Sequence, residues 1–83
     1  MKEEIEKTII DTLPDATVYV IDPDGEHFQA IVISPSFVGM PLVKQHKAVM
    51  NSLKEKFATT MHALQLKTFT PEKWENEKHN YMS

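Results

Sequence analysis

The chain has no cysteine and no arginine, and only two glycines among its 83 residues. Without cysteine it can form neither a disulfide nor a thiolate metal site of its own. Without arginine it lacks the side chain that most often reads base edges and phosphates, which disfavours strong sequence-specific DNA binding. A single glycine in the segment Phe37-Val38-Gly39-Met40 is too few for a phosphate-binding loop.

Long apolar runs are also missing. No stretch of about 18 apolar residues is available to span a membrane, and the first residues, Met1-Lys2-Glu3-Glu4, lack the apolar core of a secretion signal. The serines have no convincing base and acid partners, so no enzyme is expected. We expect one domain, because 83 residues with 41% hydrophobic content suit a single small core. A soluble, cytoplasmic protein is the default expectation, and we expect the free protein to be a monomer.

The net charge of −3 is unevenly distributed. Residues 42–67 hold five lysines and one acid, a local charge of about +4, whereas the rest holds four lysines and eleven acids. Lys44, Lys47 and Lys54 share one arc of a predicted helix. This arc is either a solvated helix face or a docking surface for an acidic partner or a nucleic-acid backbone.

Hydrophobic periodicity predicts the order helix, strand, strand, helix, strand. The predicted elements are a helix over 2–13, strands over 16–21 and 27–34, a helix from Pro41, and a strand over 62–69. The turn sequence Asp22-Pro23-Asp24-Gly25 makes the first two strands antiparallel. A right-handed crossover through the second helix makes the last two parallel. We therefore predict a small α+β sandwich, with a three-stranded mixed sheet and helices on one face.

Several side chains have predicted structural roles. The first helix should bury Ile5, Ile9, Ile10 and Leu13, and the second should bury Leu42, His46, Val49, Met50, Leu53 and Phe57. His46 is expected to be a buried, hydrogen-bonded structural histidine. Phe37 should pack inward, Gly39 should let the chain turn into the helix, and Trp74 should fold back onto the core. The domain is expected to cover 1–74, followed by a flexible tail over 75–83.

The order and spacing of five short segments resemble the BolA-like family from about Ile5 to Trp74. These segments are Phe37-Val38-Gly39, Leu42-Val43, His46-Lys47, His62-Ala63-Leu64 and Thr70-Pro71-Glu72-Lys73-Trp74. The resemblance implies a fold similar to the class II K-homology domain. It also implies partnership with a monothiol glutaredoxin, the two proteins jointly holding a [2Fe–2S] cluster in iron–sulfur trafficking or iron sensing.

The resemblance implies that His62 is a cluster ligand and makes His27 the candidate for the second ligand. The isolated chain is expected to bind no cluster. A glutaredoxin cysteine and glutathione would supply the thiolates. A link to stress response is also implied. The alternative is a nucleic-acid-binding transcription regulator that uses the lysine-bearing helix. Lysine stands where arginine often follows the helix histidine in the family, which weakens that alternative.

The predicted topology agrees with the implied ligand pair. His27 and His62 each open one of two parallel strands, so both should lie at the same edge of the sheet. Imidazole is a suitable iron ligand, but two ligands are half of the four that a [2Fe–2S] cluster needs. Nearby acids favour the imidazolium form, so we expect cluster sharing to weaken below about pH 6. The competing interpretations are that His62 is an exposed strand-start residue, and His27 a polar loop residue, without function.

Overall fold

The computed structural model describes residues 1–82, without the side chains of residues 60 and 61. The helices and strands are α1 (Lys2–Thr12), β1 (Thr17–Ile21), β2 (Phe28–Ile33), α2 (Leu42–Leu53), β3 (Leu64–Phe69) and α3 (Pro71–Glu77). The sheet order is β1-β2-β3, with β1 antiparallel and β3 parallel to the central strand. The predicted α+β class, element order and strand directions are confirmed.

The β1–β2 connection is a turn closed by side-chain hydrogen bonds. Gly25 has a φ of +76°, in the left-handed region where a glycine is favoured. Its backbone N–H donates to Asp22 Oδ1 over 2.6 Å. The turn sets the register in which Ile21 faces Gln29, so it fixes the point at which β2 begins.

One face of the sheet packs against α1 and α2. Alternation along each strand directs Val20, Ala30 and Val32 to this face, where they form one core with the inner sides of both helices. The buried members of this core are Ile5, Ile9, Val20, Phe28, Ala30, Val32, Phe37, Val49, Leu53 and Phe57. The expectation that Ile10 is buried is wrong: it lies on the outer side of α1 and is exposed.

The other face carries a second core. Ile31 and Ile33 of β2 are buried there with Phe69 and Trp74, and Tyr81 packs against them. Helices therefore cover both faces, not one as predicted. The sequence of β2 accounts for this, because residues 30–33 are all apolar and all buried. This pattern is typical of a strand covered on both sides.

The chain beyond Trp74 is structured where the sequence predicts a flexible tail. Helix α3 continues to Glu77, a single 3-10 turn follows at Lys78–Asn80, and the Tyr81 ring lies 5.6 Å from that of Phe69. Packing of Tyr81 and a 2.9 Å hydrogen bond from Lys78 Nζ to Glu75 Oε1 help to hold a polar segment that has no apolar periodicity. Ser83 lies outside the described residues.

Helix α2 buries a narrower stripe than predicted. Its buried residues are Gln45, Val49 and Leu53, whereas Leu42 is 58% exposed and His46 is only half-buried. The polar residue that α2 buries is therefore Gln45 and not the predicted His46. None of the helices within residues 1–82 is long and apolar enough to cross a membrane.

Candidate functional site

A cleft of about 320 Å³ lies at the end of the sheet where β1 finishes and where β2 and β3 begin. Its lining residues are Ile21, Pro23, His27, Phe28, Gln29, His62, Ala63, Leu64 and Gln65. Both histidines predicted to act as metal ligands line this one cleft, although 34 residues separate them in the chain. The parallel pairing of Phe28 with Leu64 explains this proximity.

His27 is the last residue of the β1–β2 loop, and its side chain is 72% exposed. Its ring Nδ1 lies 2.7 Å from Asp24 Oδ2. The backbone N–H groups of Glu26 and His27 donate to Asp24 Oδ1 over 2.9 and 2.8 Å. One carboxylate therefore holds both the end of the loop and the imidazole that the loop presents.

These hydrogen bonds also affect the acid. The His27 ring, followed by the two backbone N–H groups, holds the pKa of the Asp24 carboxyl well below its usual range. Asp24 is therefore an anion across the physiological pH range, and an anionic carboxylate can only accept hydrogen bonds.

His62 lies two residues before β3, not at its first position as predicted. It belongs to a short 3-10 turn over Thr60–Ala63, and regular strand pairing begins at Leu64. The His62 side chain is exposed, so the turn leaves its imidazole available at the rim of the cleft.

The arrangement offers nitrogen donors on a partly apolar floor. Ile21, Gln29 and Gln65 are register partners and form one row across the sheet beside the two histidines. Within residues 1–82, side chains of residues 60 and 61 aside, no three His, Cys, Asp or Glu residues form a group that could hold a metal ion. The donor set is a pair of accessible imidazoles, which suits a site shared with a second molecule. Their role as ligands stays a prediction.

A second surface surrounds the start of α2. Val38, Leu42 and Val43 are 69%, 58% and 66% exposed, and Lys44 and Lys47 are exposed on the same helix. Exposed apolar side chains that lie close together are typical of protein interaction surfaces. Lys54, directly after α2, is also exposed.

Two linked, buried hydrogen bonds support this second surface and were not predicted. Thr68 of β3 donates to Gln45 Oε1 over 2.8 Å, and Gln45 Nε2 donates to the Met40 carbonyl over 2.9 Å. These bonds tie the loop before α2 to the sheet, while Gly39, with φ +82°, makes the turn. A glutamine inside an apolar helix arc is the sequence signal that could have predicted these hydrogen bonds.

The remaining predicted residues have structural positions. Phe37 is completely buried in the first core, and Trp74 is buried in the second. Trp74 contacts the rings of Phe69 and Tyr19 at centroid distances of 5.3 and 6.1 Å. Neither side chain reaches the cleft.

Known proteins resemble this chain in both sequence and fold. The chain is 34% identical to the acid stress protein IbaG of Escherichia coli over 90% of its length and 89% of the relative's. It is 30% identical to the DNA-binding transcriptional regulator BolA of E. coli, over 90% of this chain and 80% of that one. A solved BolA homologue from Coxiella burnetii superposes with a TM-score of 0.75 at 35% identity, over 90% of this chain and 96% of that one.

The family profile described as BolA-like protein matches residues 6–73. This match includes α2, the three strands and both cleft histidines. The chain belongs to the BolA-like protein family.

Proposed function

We propose that this protein is an adaptor that partners a monothiol glutaredoxin and shares a [2Fe–2S] cluster with it in iron–sulfur trafficking or iron sensing. The observation that carries the proposal is the placement of His27 and His62 on one open cleft. Iron accepts imidazole nitrogen readily, and the exposure of both rings leaves them accessible to a cluster presented by another protein.

The donor chemistry supports a shared site. A [2Fe–2S] cluster needs four protein or cofactor ligands. The chain offers two imidazoles and, with no cysteine, no thiolate. A cysteine of the glutaredoxin and the thiol of glutathione would complete the set. Two nitrogen ligands would raise the reduction potential relative to an all-thiolate cluster, which suits transfer or sensing.

The cleft residues would act mainly by presenting donors. The hydrogen bonds of Asp24 hold the loop that ends at His27, and β3 fixes the turn that carries His62. Ile21 and Gln29 border the cleft and are available to contact the partner. When bound, the cluster supplies the redox and transfer chemistry.

Anaerobic reconstitution with a monothiol glutaredoxin and glutathione tests the proposal. We expect wild type to form a coloured complex with a histidine-ligated spectrum. His62→Ala should abolish that spectrum and His27→Ala should perturb it. His46→Ala is the matched control, because His46 is half-buried on α2 and does not line the cleft. An unchanged spectrum in the His27→Ala/His62→Ala double variant would disprove ligation by this pair.

A nucleic-acid-binding regulator is the second candidate. It is favoured by the exposure of Lys44 and Lys47 and by the DNA-binding role in the name of the E. coli relative. Retention on DNA or heparin that falls steeply with salt would support it, and Lys44→Ala/Lys47→Ala should reduce that salt dependence. Lys7→Ala is the control, because Lys7 pairs with Asp11 on α1.

A further inference from the structure

The contact between Asp24 and His27 has a chemical direction. Asp24 is a carboxylate, which has no proton to donate, so the hydrogen of the 2.7 Å bond must be on His27 Nδ1. In a neutral imidazole only one ring nitrogen carries hydrogen. Nε2 then keeps its lone pair and is the ring atom that can bind a metal.

We propose that Asp24 is a positioning residue that holds neutral His27 in the Nδ1–H form and thereby presents Nε2 to iron. The part of this inference that concerns iron rests on the proposed function. The part that concerns the tautomer of His27 applies to the free protein alone. Metal-binding histidines commonly donate their second ring N–H to a carboxylate or carbonyl, which fixes the orientation of the ring and raises its basicity.

The local structure makes Asp24 well suited to this role. Its Oδ1 is held by the backbone N–H groups of Glu26 and His27, at 2.9 and 2.8 Å. The carboxylate therefore cannot rotate freely, and its Oδ2 remains aimed at the ring. The His27 side chain is 72% exposed, so little other packing restrains it, and the bond to Asp24 is its main orienting contact.

The Asp24→Asn variant tests the direction of this bond. An asparagine can keep its Oδ1 on the two backbone N–H groups, which leaves its NH₂ group facing the ring. Because NH₂ donates, Nδ1 would have to accept, and the ring proton would move to Nε2. The same substitution in a catalytic carboxylate–histidine pair is known to stabilise the wrong tautomer.

Two variants separate this effect from others. Glu26→Gln removes one negative charge beside His27 and leaves the Asp24 bonds in place. Asp22→Asn weakens the turn, in which Asp22 accepts from Gly25, without changing the partner of the ring. Neither should change the tautomer.

The first measurement is long-range ¹H–¹⁵N NMR of the imidazoles in the metal-free protein at pH 8, with His27→Ala used to assign the signals. We expect His27 to be mainly Nδ1–H in wild type, Glu26→Gln and Asp22→Asn, and mainly Nε2–H in Asp24→Asn. A wild-type ring that is mainly Nε2–H, or an unchanged tautomer in Asp24→Asn, would overturn the inference and leave the proposed function standing.

The second measurement is cluster assembly with a monothiol glutaredoxin and glutathione. We expect Asp24→Asn to bind at least about tenfold more weakly than Glu26→Gln, within the 10–100-fold range for loss of a supporting partner. Equal assembly by these two variants would overturn the positioning role. Failure of the wild type to assemble any histidine-dependent complex would instead overturn the proposed function, and with it the iron part of the inference, whatever the tautomer.

Discussion

The two ends of the sheet are stabilised in different ways. At the histidine end, defined by His27 and His62, the side chains are exposed and the contacts are local hydrogen bonds within one loop. At the aromatic end, defined by Phe69, Trp74 and Tyr81, three rings pack against β2. Phe28, next to His27, is still buried in the first core. The two ends therefore differ in how far side chains cover them: the loop and turn that carry His27 and His62 are largely uncovered, which leaves their donors accessible.

Hydrogen bonding strengthens this difference. At the aromatic end, the backbone N–H of Ser34 donates to the Phe69 carbonyl over 3.1 Å. The hydroxyls of Ser34 and Ser36 donate to Asp15 over 3.1 and 2.9 Å. These contacts join residues distant in sequence. The Asp24 contacts at the histidine end span three residues at most, so they order a loop without joining separate elements.

The largest expected effect is that of Trp74→Ala. This change removes a buried side chain that contacts both Phe69 and Tyr19, and large aromatic-to-alanine changes in a core cost about 3–5 kcal/mol. Urea unfolding should show this loss in the free energy of unfolding. The matched change at the other end, His62→Ala, should cost less than about 0.5 kcal/mol, as is usual for exposed positions. Similar losses in both variants would contradict the comparison.

Asp15→Ala should have the next largest effect. It removes the acceptor of two serine hydroxyls, one of which, on Ser34, is fully buried. Loss of a partner for a buried polar group costs about 1–3 kcal/mol. Urea unfolding would detect this change, and Asp11→Ala, at an exposed site on α1, is the control. A loss no greater than that of the control would show that this hydrogen-bonded group is dispensable.

Tyr81→Ala should cost about 1 kcal/mol. Tyr81 lies edge-on to Phe69 and 6.0 Å from the Trp74 ring, and aromatic pairs contribute about 0.5–1.5 kcal/mol. Thermal unfolding should detect the shift. His79→Ala, at an exposed position in the preceding 3-10 turn, is the control. Equal thermal stability of the two variants would contradict this packing and support the flexible tail that the sequence predicts.

The smallest expected effect is a pH dependence at the histidine end. The folded-state pKa of Asp24 is lowered, so its contribution to stability is complete above the unfolded value near 4 and is lost as pH falls further. The stability difference between wild type and Asp24→Asn should shrink as the pH falls from 5 toward 3. Urea unfolding across that range checks this, with Glu26→Gln as the control. A difference that grows on acidification would contradict the assigned sign.

The sequence predicted the fold through its strongest local signals. The Asp22–Gly25 turn and the crossover through α2 were sufficient for the strand directions, and from them for the shared edge of His27 and His62. The start of α3 has signals in the sequence, since Thr70 caps the helix and Pro71 follows it. Its extension to Glu77 and the docking of Tyr81 were not predicted, because polar residues 75–80 have no apolar periodicity.

Hydrophobic periodicity also gave a partly wrong prediction of which side chains of α2 are buried. An apolar arc gives the direction in which a helix faces, but not how far its neighbours extend over it. Leu42 and His46 lie at the edge of the covered stripe of α2, and Gln45 is inside it. The Asp24–His27 bond escaped prediction for a different reason: a carboxylate three residues from a histidine contacts it only in particular turn conformations.

The crossover between β2 and β3 has a consequence for when the cleft can exist. The two imidazoles precede different strands, β2 and β3, so the pair assembles only after α2 has packed and β3 has docked beside its parallel neighbour. A nascent or unfolded chain holds two unconnected histidines with the weak metal affinity of free imidazole. Under the proposed function, capture of iron would be linked to completion of folding, and the cleft should disappear in the same cooperative transition that unfolds the domain.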